Sequence, residues 1–226
     1  MNTATDIIII IAILTIPAIA QALISIRYKR YSGIENTQKL SGFETARKIL
    51  DANGLSDMDI VAVPGSLTDH YDPSRKVVRL SQSNFNENSI AAMAVAAHEC
   101  GHAIQDKEGY FMMRLRSAIV PVVKIGTTVS YIIIAIAFIF EILGLFYVGI
   151  ACSCLGLLFQ LITLPVEFNA SSRAEKQLKM LGLTSKSDDK GTKKVLGAAA
   201  MTYVAGMLSS LLVILRYVLM FSGRRD

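Results

Sequence analysis

Tryptophan is absent from these 226 residues, and histidine and cysteine occur only three times each. Charged residues make up 18% of the chain against 52% hydrophobic ones, so charge is scarce as well. Three cysteines give no disulfide framework: Cys152 and Cys154 lie inside an apolar run, where cysteine packs as a small hydrophobe. The net charge of +5 gathers at the ends of apolar runs. No basic stripe with interleaved aromatics exists, which argues against nucleic acid as a partner.

Long stretches also lack charge altogether. Residues 7–26, 142–165 and 195–215 carry none, and 117–140 carries only Lys124. About 20 apolar residues cross a bilayer core, so all four are candidate transmembrane helices and the lipid bilayer is an expected partner. Residues 1–6 contain no Lys or Arg, whereas Arg27, Lys29 and Arg30 follow the first stretch. That pattern disfavours a cleaved signal peptide and favours an uncleaved anchor with its N-terminus outside.

Basic residues favour the cytoplasmic face. Arg27, Lys29 and Arg30, then Arg114 and Arg116, then Lys176, Lys179, Lys186, Lys190, Lys193 and Lys194 all flank the same two polar segments. Only Glu141 separates the second and third apolar stretches, which predicts a tight external hairpin. Both polar segments, 27–116 and 166–194, are therefore expected inside. Arg224 and Arg225 in the tail conflict with this orientation.

Segment 27–116 is long enough for a small domain. Ser41-Gly42-Phe43-Glu44 is a capping box, and Gly54 can close the helix it opens. Residues 59–63 and 76–80 are short β-branched runs separated by the turn formers Pro64-Gly65 and Asp72-Pro73-Ser74, predicting a hairpin or a pair of neighbouring strands. Asn86 to Ser89 offer N-caps for a helix from about 90 to 106. Its first two turns are apolar all round, so it should be buried on every side.

That helix carries His98-Glu99-Cys100-Gly101-His102. Histidines at i and i+4 share a helix face and can bind one zinc ion, while the adjacent glutamate can serve as general base toward an attacking water. Cys100 points away from the shared face. A packing pair of histidines is the plain alternative. A catalytic zinc takes a third protein ligand. Asp106 lies roughly 12 Å along the same helix from His98 at 1.5 Å per residue, so one ion cannot bind both. Glu108 fails similarly, and Glu141 is expected on the opposite membrane face. Glu167 returns to the motif's side after two crossings, at the start of a helical stretch 167–182, where a carboxylate is also favourable merely as a helix N-terminal residue. His70, in Thr68-Asp69-His70-Tyr71-Asp72-Pro73, is the rival ligand or a transition-state donor.

With these residues in place the chain resembles the YugP-like membrane zinc metallopeptidases of bacteria over almost its whole length. The resemblance covers the N-terminal anchor, Leu67-Thr68-Asp69-His70-Tyr71-Asp72-Pro73, Val78-Arg79-Leu80-Ser81, Ala97 to Gln105 around the motif, and Leu164-Pro165-Val166-Glu167-Phe168. The layout is also similar to the wider HtpX-like peptidases, in which a two-span hairpin separates the motif helix from a glutamate ligand. The resemblance implies one zinc ion held by His98, His102 and Glu167, with Glu99 as catalytic base. It also implies a strand at Val78, Arg79, Leu80 and Ser81 that pairs with an extended substrate. Asn169 stands where an aspartate is expected two residues after the ligand glutamate, and Ser171 where the HtpX-like group has a carboxylate. Asn169 can still hydrogen-bond a ligand histidine, without the charge that raises imidazole basicity.

The expected fold is mainly α with a small β element (α+β), a multi-pass membrane protein with a zincin-like, gluzincin-type catalytic domain. Its parts are an anchor (1–26), the catalytic segment (27–116), a two-span hairpin (117–165), the segment supplying the third ligand (166–194) and a C-terminal span and tail (195–226). The expected activity is a membrane-bound zinc metalloendopeptidase acting on protein or peptide substrates, in a bacterial cell membrane with a cytoplasmic active site. His70, Tyr71 and Arg173 are candidate oxyanion donors, and an edge strand at 78–81 would take substrate by strand addition. Two rivals stand beside this reading. An intramembrane protease is disfavoured because the motif helix is bounded by polar residues and no Asp-Gly pair supplies a carboxylate ligand. A non-catalytic zinc-binding membrane scaffold is the other.

Overall fold

A computed structural model describes residues 3–222; Arg224 and Arg225, on which the orientation conflict rested, lie outside them. The chain is mainly helical with a three-stranded sheet, and it divides into two units.

The first unit takes the described residues up to Gln21, Arg114–Pro165 and those from Met201. It is built from parts of four long helices: α1 (Thr3–Ser32), α5 (Phe111–Ile139), α6 (Leu143–Met180) and α7 (Lys186–Ser222). Each is long and apolar enough to cross a membrane. Phe140 and Glu141 make the tight turn between α5 and α6, with Glu141 at φ 55°. Pro17, Pro121 and Pro165 sit inside helices, a placement that membrane helices tolerate when neighbours re-satisfy the freed carbonyls.

The second unit comprises Ala22–Met113 and Val166–Ala200. Its α2 (Gly42–Ala52) starts at the expected capping box: the Glu44 amide donates to Ser41 Oγ (3.1 Å) and the Ser41 amide to Glu44 Oε2 (2.8 Å). It ends at Asn53 and Gly54, the latter at φ 65°, where glycine carries no Cβ penalty. Thr45, Ala46, Ile49 and Leu50 form its buried face. A short α3 (Gln82–Asn86) leads to α4 (Ile90–Lys107), capped by Ser89 Oγ on the Ala92 amide (3.1 Å). The first two turns of α4 are buried except for Val95, which is half-buried.

Of the two arrangements expected for the strands, the neighbouring pair is the one found, and a third strand joins it. β1 (Asp59–Val63) and β3 (Val77–Ser81) are neighbours but run parallel, and β2 (His70–Asp72) pairs antiparallel with β3 on its other side. The hairpin is β2–β3. Its turn is held by Asp72 Oδ1, which accepts the amides of Ser74 and Arg75 (both 3.1 Å). The strand order β1-β3-β2 makes β3 central rather than an edge. This corrects the substrate-strand reading of Val78, Arg79, Leu80 and Ser81. Parallel pairing covers all of β3 on one side. On the other, β2 covers Val77 to Arg79, and the Ser81 amide donates to Asp69 Oδ1 (2.7 Å). Val78, Leu80 and Ser81 are fully buried, so no backbone row remains there for strand addition.

A second correction concerns α6. The stretch around Glu167 is not the start of a helix but the interior of one that continues from the apolar run through Pro165. Glu167 therefore gains nothing from a helix N-terminus, and that plain reading of its position falls away.

Candidate metal centre

Two helices of the second unit supply the candidate ligands. α4 presents His98 and His102 one turn apart, with ring centroids 4.8 Å apart and planes nearly perpendicular. From α6, Glu167 Oε2 lies 3.2 Å from His98 Nε2 and 3.6 Å from His102 Nε2. Zinc bonds of about 2.0–2.2 Å in a tetrahedron place neighbouring ligand atoms roughly 3.3–3.6 Å apart, a spacing that both Glu167 contacts come close to, and two histidines with a carboxylate are a donor set that suits zinc. Among the described residues these three form the one His/Cys/Asp/Glu group whose ligand atoms converge, all within 4.8 Å.

The close approach has a local cause. A Cβ on Gly101 would stand 2.5 Å from the Ala170 carbonyl oxygen, so only glycine lets α4 come this near the α6 backbone. The facing side of α6 is Val166, Ala170 and Ala174, all fully buried and spaced i, i+4, i+8. Cys100 turns the other way, its Sγ 3.6 Å from the Ala46 carbonyl of α2.

Hydrogen bonds hold the rings in a ligating tautomer. The Gln105 amide donates to the Val166 carbonyl (2.8 Å) and to Asn169 Oδ1 (2.9 Å), which leaves its oxygen facing His102 Nδ1 at 2.9 Å. His102 then carries a proton on Nδ1, and loss of the Nε2 proton would leave that lone pair for a metal. On the other ring, Ser171 Oγ lies 3.2 Å from His98 Nδ1 and can accept its proton in the same way. Sequence reasoning missed Gln105 in this role, though it continues the motif's helix three residues beyond His102. It placed Asn169 against a histidine, whereas Asn169 reaches His102 only through Gln105.

Glu99, His102 and Glu167 are all buried, at 7%, 7% and 3% exposure. Burial pushes the Glu99 carboxyl up, opposed by His98 and His102. Burial also pushes Glu167 up, yet hydrogen bonds from His102 and His98 outweigh it and hold the group well below the usual carboxylate range. For His102 burial works downward, but Glu167 and Glu99 prevail and raise it. Glu167 thus favours positive charge beside it, which the metal-free site meets with protons on the facing histidines.

The remaining candidates fall elsewhere. His70 opens β2, is exposed, and pairs its Nδ1 with the Thr68 carbonyl (2.8 Å); it is not in the converging group. Tyr71 is buried and donates its hydroxyl to Asp106 Oδ2 (2.7 Å), and burial and that contact push its ionisation up. Arg173 bonds Asn169 Oδ1 (2.7 Å) and Glu108 (2.7 Å), so it buttresses the Gln105 chain. Arg79 faces Asp72 at 3.7 Å.

A family model described as "putative neutral zinc metallopeptidase" matches residues 6–222. A curated protein of Bacillus subtilis (strain 168), "Putative membrane protease YugP", is 45% identical over 207 residues, covering 92% of each chain. No solved structure matches. The family match spans the region that holds the converging residues, and the relative covers nearly the whole chain, so the chain belongs to this zinc metallopeptidase family.

Proposed function

We propose that the chain is a multi-pass, membrane-bound zinc endopeptidase that hydrolyses peptide bonds of protein substrates at a centre built from His98, His102, Glu167 and Glu99. The observation that carries this reading is the convergence of His98 Nε2, His102 Nε2 and Glu167 Oε2 within 4.8 Å, beside a buried glutamate of the same helix. One zinc ion per chain supplies Lewis acidity there, polarising the scissile carbonyl and lowering the pKa of the attacking water. Glu99 takes the water's proton and delivers it to the leaving amine, a task suited to a carboxyl raised by burial. Gln105 and Ser171 fix the rings so that neither turns its protonated nitrogen inward. Among the described residues the outer strands β1 and β2 pair only with β3, so strand addition by an extended substrate falls to one of them.

The flanking positive charges support a centre on the cytoplasmic face of a bacterial membrane. Purified protein should hold about one zinc and cleave an unfolded test protein, while Glu99→Gln keeps the metal and loses at least about a hundredfold in rate. Cleavage by Glu99→Gln at the parent rate rejects the mechanism. Zinc affinity unchanged in Glu167→Ala rejects the third ligand.

A further inference from the structure

A histidine that binds zinc gives its outer N–H to a carboxylate, a backbone carbonyl or water. Any of these fixes the ring, but only a carboxylate adds the charge that raises the basicity of the ligating nitrogen. Both candidate ligand histidines meet acceptors of the neutral kind. The oxygen facing His102 Nδ1 is the Gln105 amide (2.9 Å), and the one facing His98 Nδ1 is the Ser171 hydroxyl (3.2 Å). Gln105 is fully buried, and its amide nitrogen is committed to the Val166 carbonyl and Asn169 Oδ1. It cannot turn that nitrogen toward the ring without breaking two hydrogen bonds.

The next contacts outward add no negative charge either. Asn169 Oδ1 accepts from Gln105 and also from Arg173 Nε (2.7 Å), so the chain behind His102 runs from a neutral amide to a second amide and then to a guanidinium. Glu108 meets Arg173 Nη2 at 2.7 Å, but that carboxylate is exposed, where water screens it, and it stands one contact further out. The seam between α4 and α6, where Gly101 lies against Ala170, has Gln105 and Asn169 bonded across it as well as Glu167 and Ser171 across to His98. Both rings are therefore oriented from α4 and α6 together, and neither receives a carboxylate at its outer nitrogen. Orientation and electron donation are separable, and these residues supply the first alone.

We propose that Gln105 and Ser171 are positioning residues whose neutrality makes the metal exchangeable, held less tightly than a carboxylate behind either ring would hold it. The inference rests on the zinc reading above but needs no turnover. The test uses the full chain in lipid nanodiscs, metal-free, titrated with zinc alone against a chromophoric chelator; release is then followed after excess chelator is added. Ser171→Asp and Ser171→Asn place nearly the same shape before His98 and differ in charge. Ser171→Asp should bind zinc about tenfold more tightly than Ser171→Asn, and release it more slowly than either Ser171→Asn or the parent. Asn169→Asp, which keeps an acceptor for both Gln105 and Arg173, should tighten zinc binding in the same direction by a smaller factor. A purely structural role for these residues predicts no dependence on charge at constant shape. Equal affinity in Ser171→Asp and Ser171→Asn therefore overturns the proposal, and so does a parent that releases zinc as slowly as Ser171→Asp. Zinc held by neither the parent nor any variant overturns the metal reading and this inference together. A tenfold gap between the two Ser171 variants in a protein that cleaves nothing would instead sink peptide hydrolysis and leave this inference standing.

Discussion

Gly101 governs how close the two ligand-bearing helices come, and a methyl group there collides with the Ala170 carbonyl at 2.5 Å. Backbone cannot rotate away as a side chain can, so α4 and α6 must part. Gly101→Ala should cost about 1–3 kcal/mol of stability, typical of overpacking, and weaken zinc binding by roughly tenfold or more as Glu167 withdraws. Thermal unfolding and competitive zinc titration measure both; unchanged zinc affinity refutes the spacing role. Acid should weaken zinc binding as well. His102 is raised above the ordinary histidine value in the metal-free protein, so protons compete with the ion from above about pH 6.5 downward. Zinc affinity measured from pH 5 to 8.5 should rise with pH, with its steep part above 6.5. His98, Glu99 and His102 were legible because i, i+4 spacing is a local property of one helix. Gln105 was not, since its value depends on Val166 and Asn169, more than sixty residues away.

Elements were legible where their signals were local and failed where partners decided them. The α2 capping box and the Ser89 cap of α4 are readable from adjacent residues. β2 has only three residues, too few for any periodicity, and read as a turn. Missing it turned β3 from a central strand into an apparent edge. The restart expected after Pro165 also failed, because a proline lacks an amide and disfavours helix but does not forbid it where packing holds the chain. The capping box supports a test at this scale. Ser41→Ala should destabilise the protein by about 1 kcal/mol at neutral pH. Hydrogen bonds from Ser41 hold the Glu44 carboxyl below its usual value. That contribution is present above the ordinary carboxylate range and lost as pH falls through the depressed one. The difference between parent and Ser41→Ala, measured by thermal unfolding, should therefore shrink on acidification. A gap constant down to pH 2 contradicts the contact of the Ser41 hydroxyl with the Glu44 carboxylate (3.0 Å).

For the molecule as a whole, if all four apolar helices cross as proposed, both chain ends lie on one side of the membrane. Arg216, which interrupts the apolar character of α7, bears on this directly. Its Nε donates to Asp6 Oδ1 at 2.7 Å and its Nη2 to Oδ2 at 3.3 Å, all within the first unit. A residue near the start of α1 thus meets one near the end of α7, as four antiparallel crossings demand and three do not. The bidentate carboxylate partner also lowers the cost of placing Arg216 within a membrane helix. Reporters of compartment fused before residue 1 and after residue 226 should report the same side, outside. One inserted after Arg30, or in the turn at Leu183, should report the cytoplasm. Reversing the pair as Asp6→Arg with Arg216→Asp should restore the expression lost in either single variant. Termini found on opposite sides would reject α7 as the fourth crossing, while the hairpin of α5 and α6 that precedes Glu167 would stand.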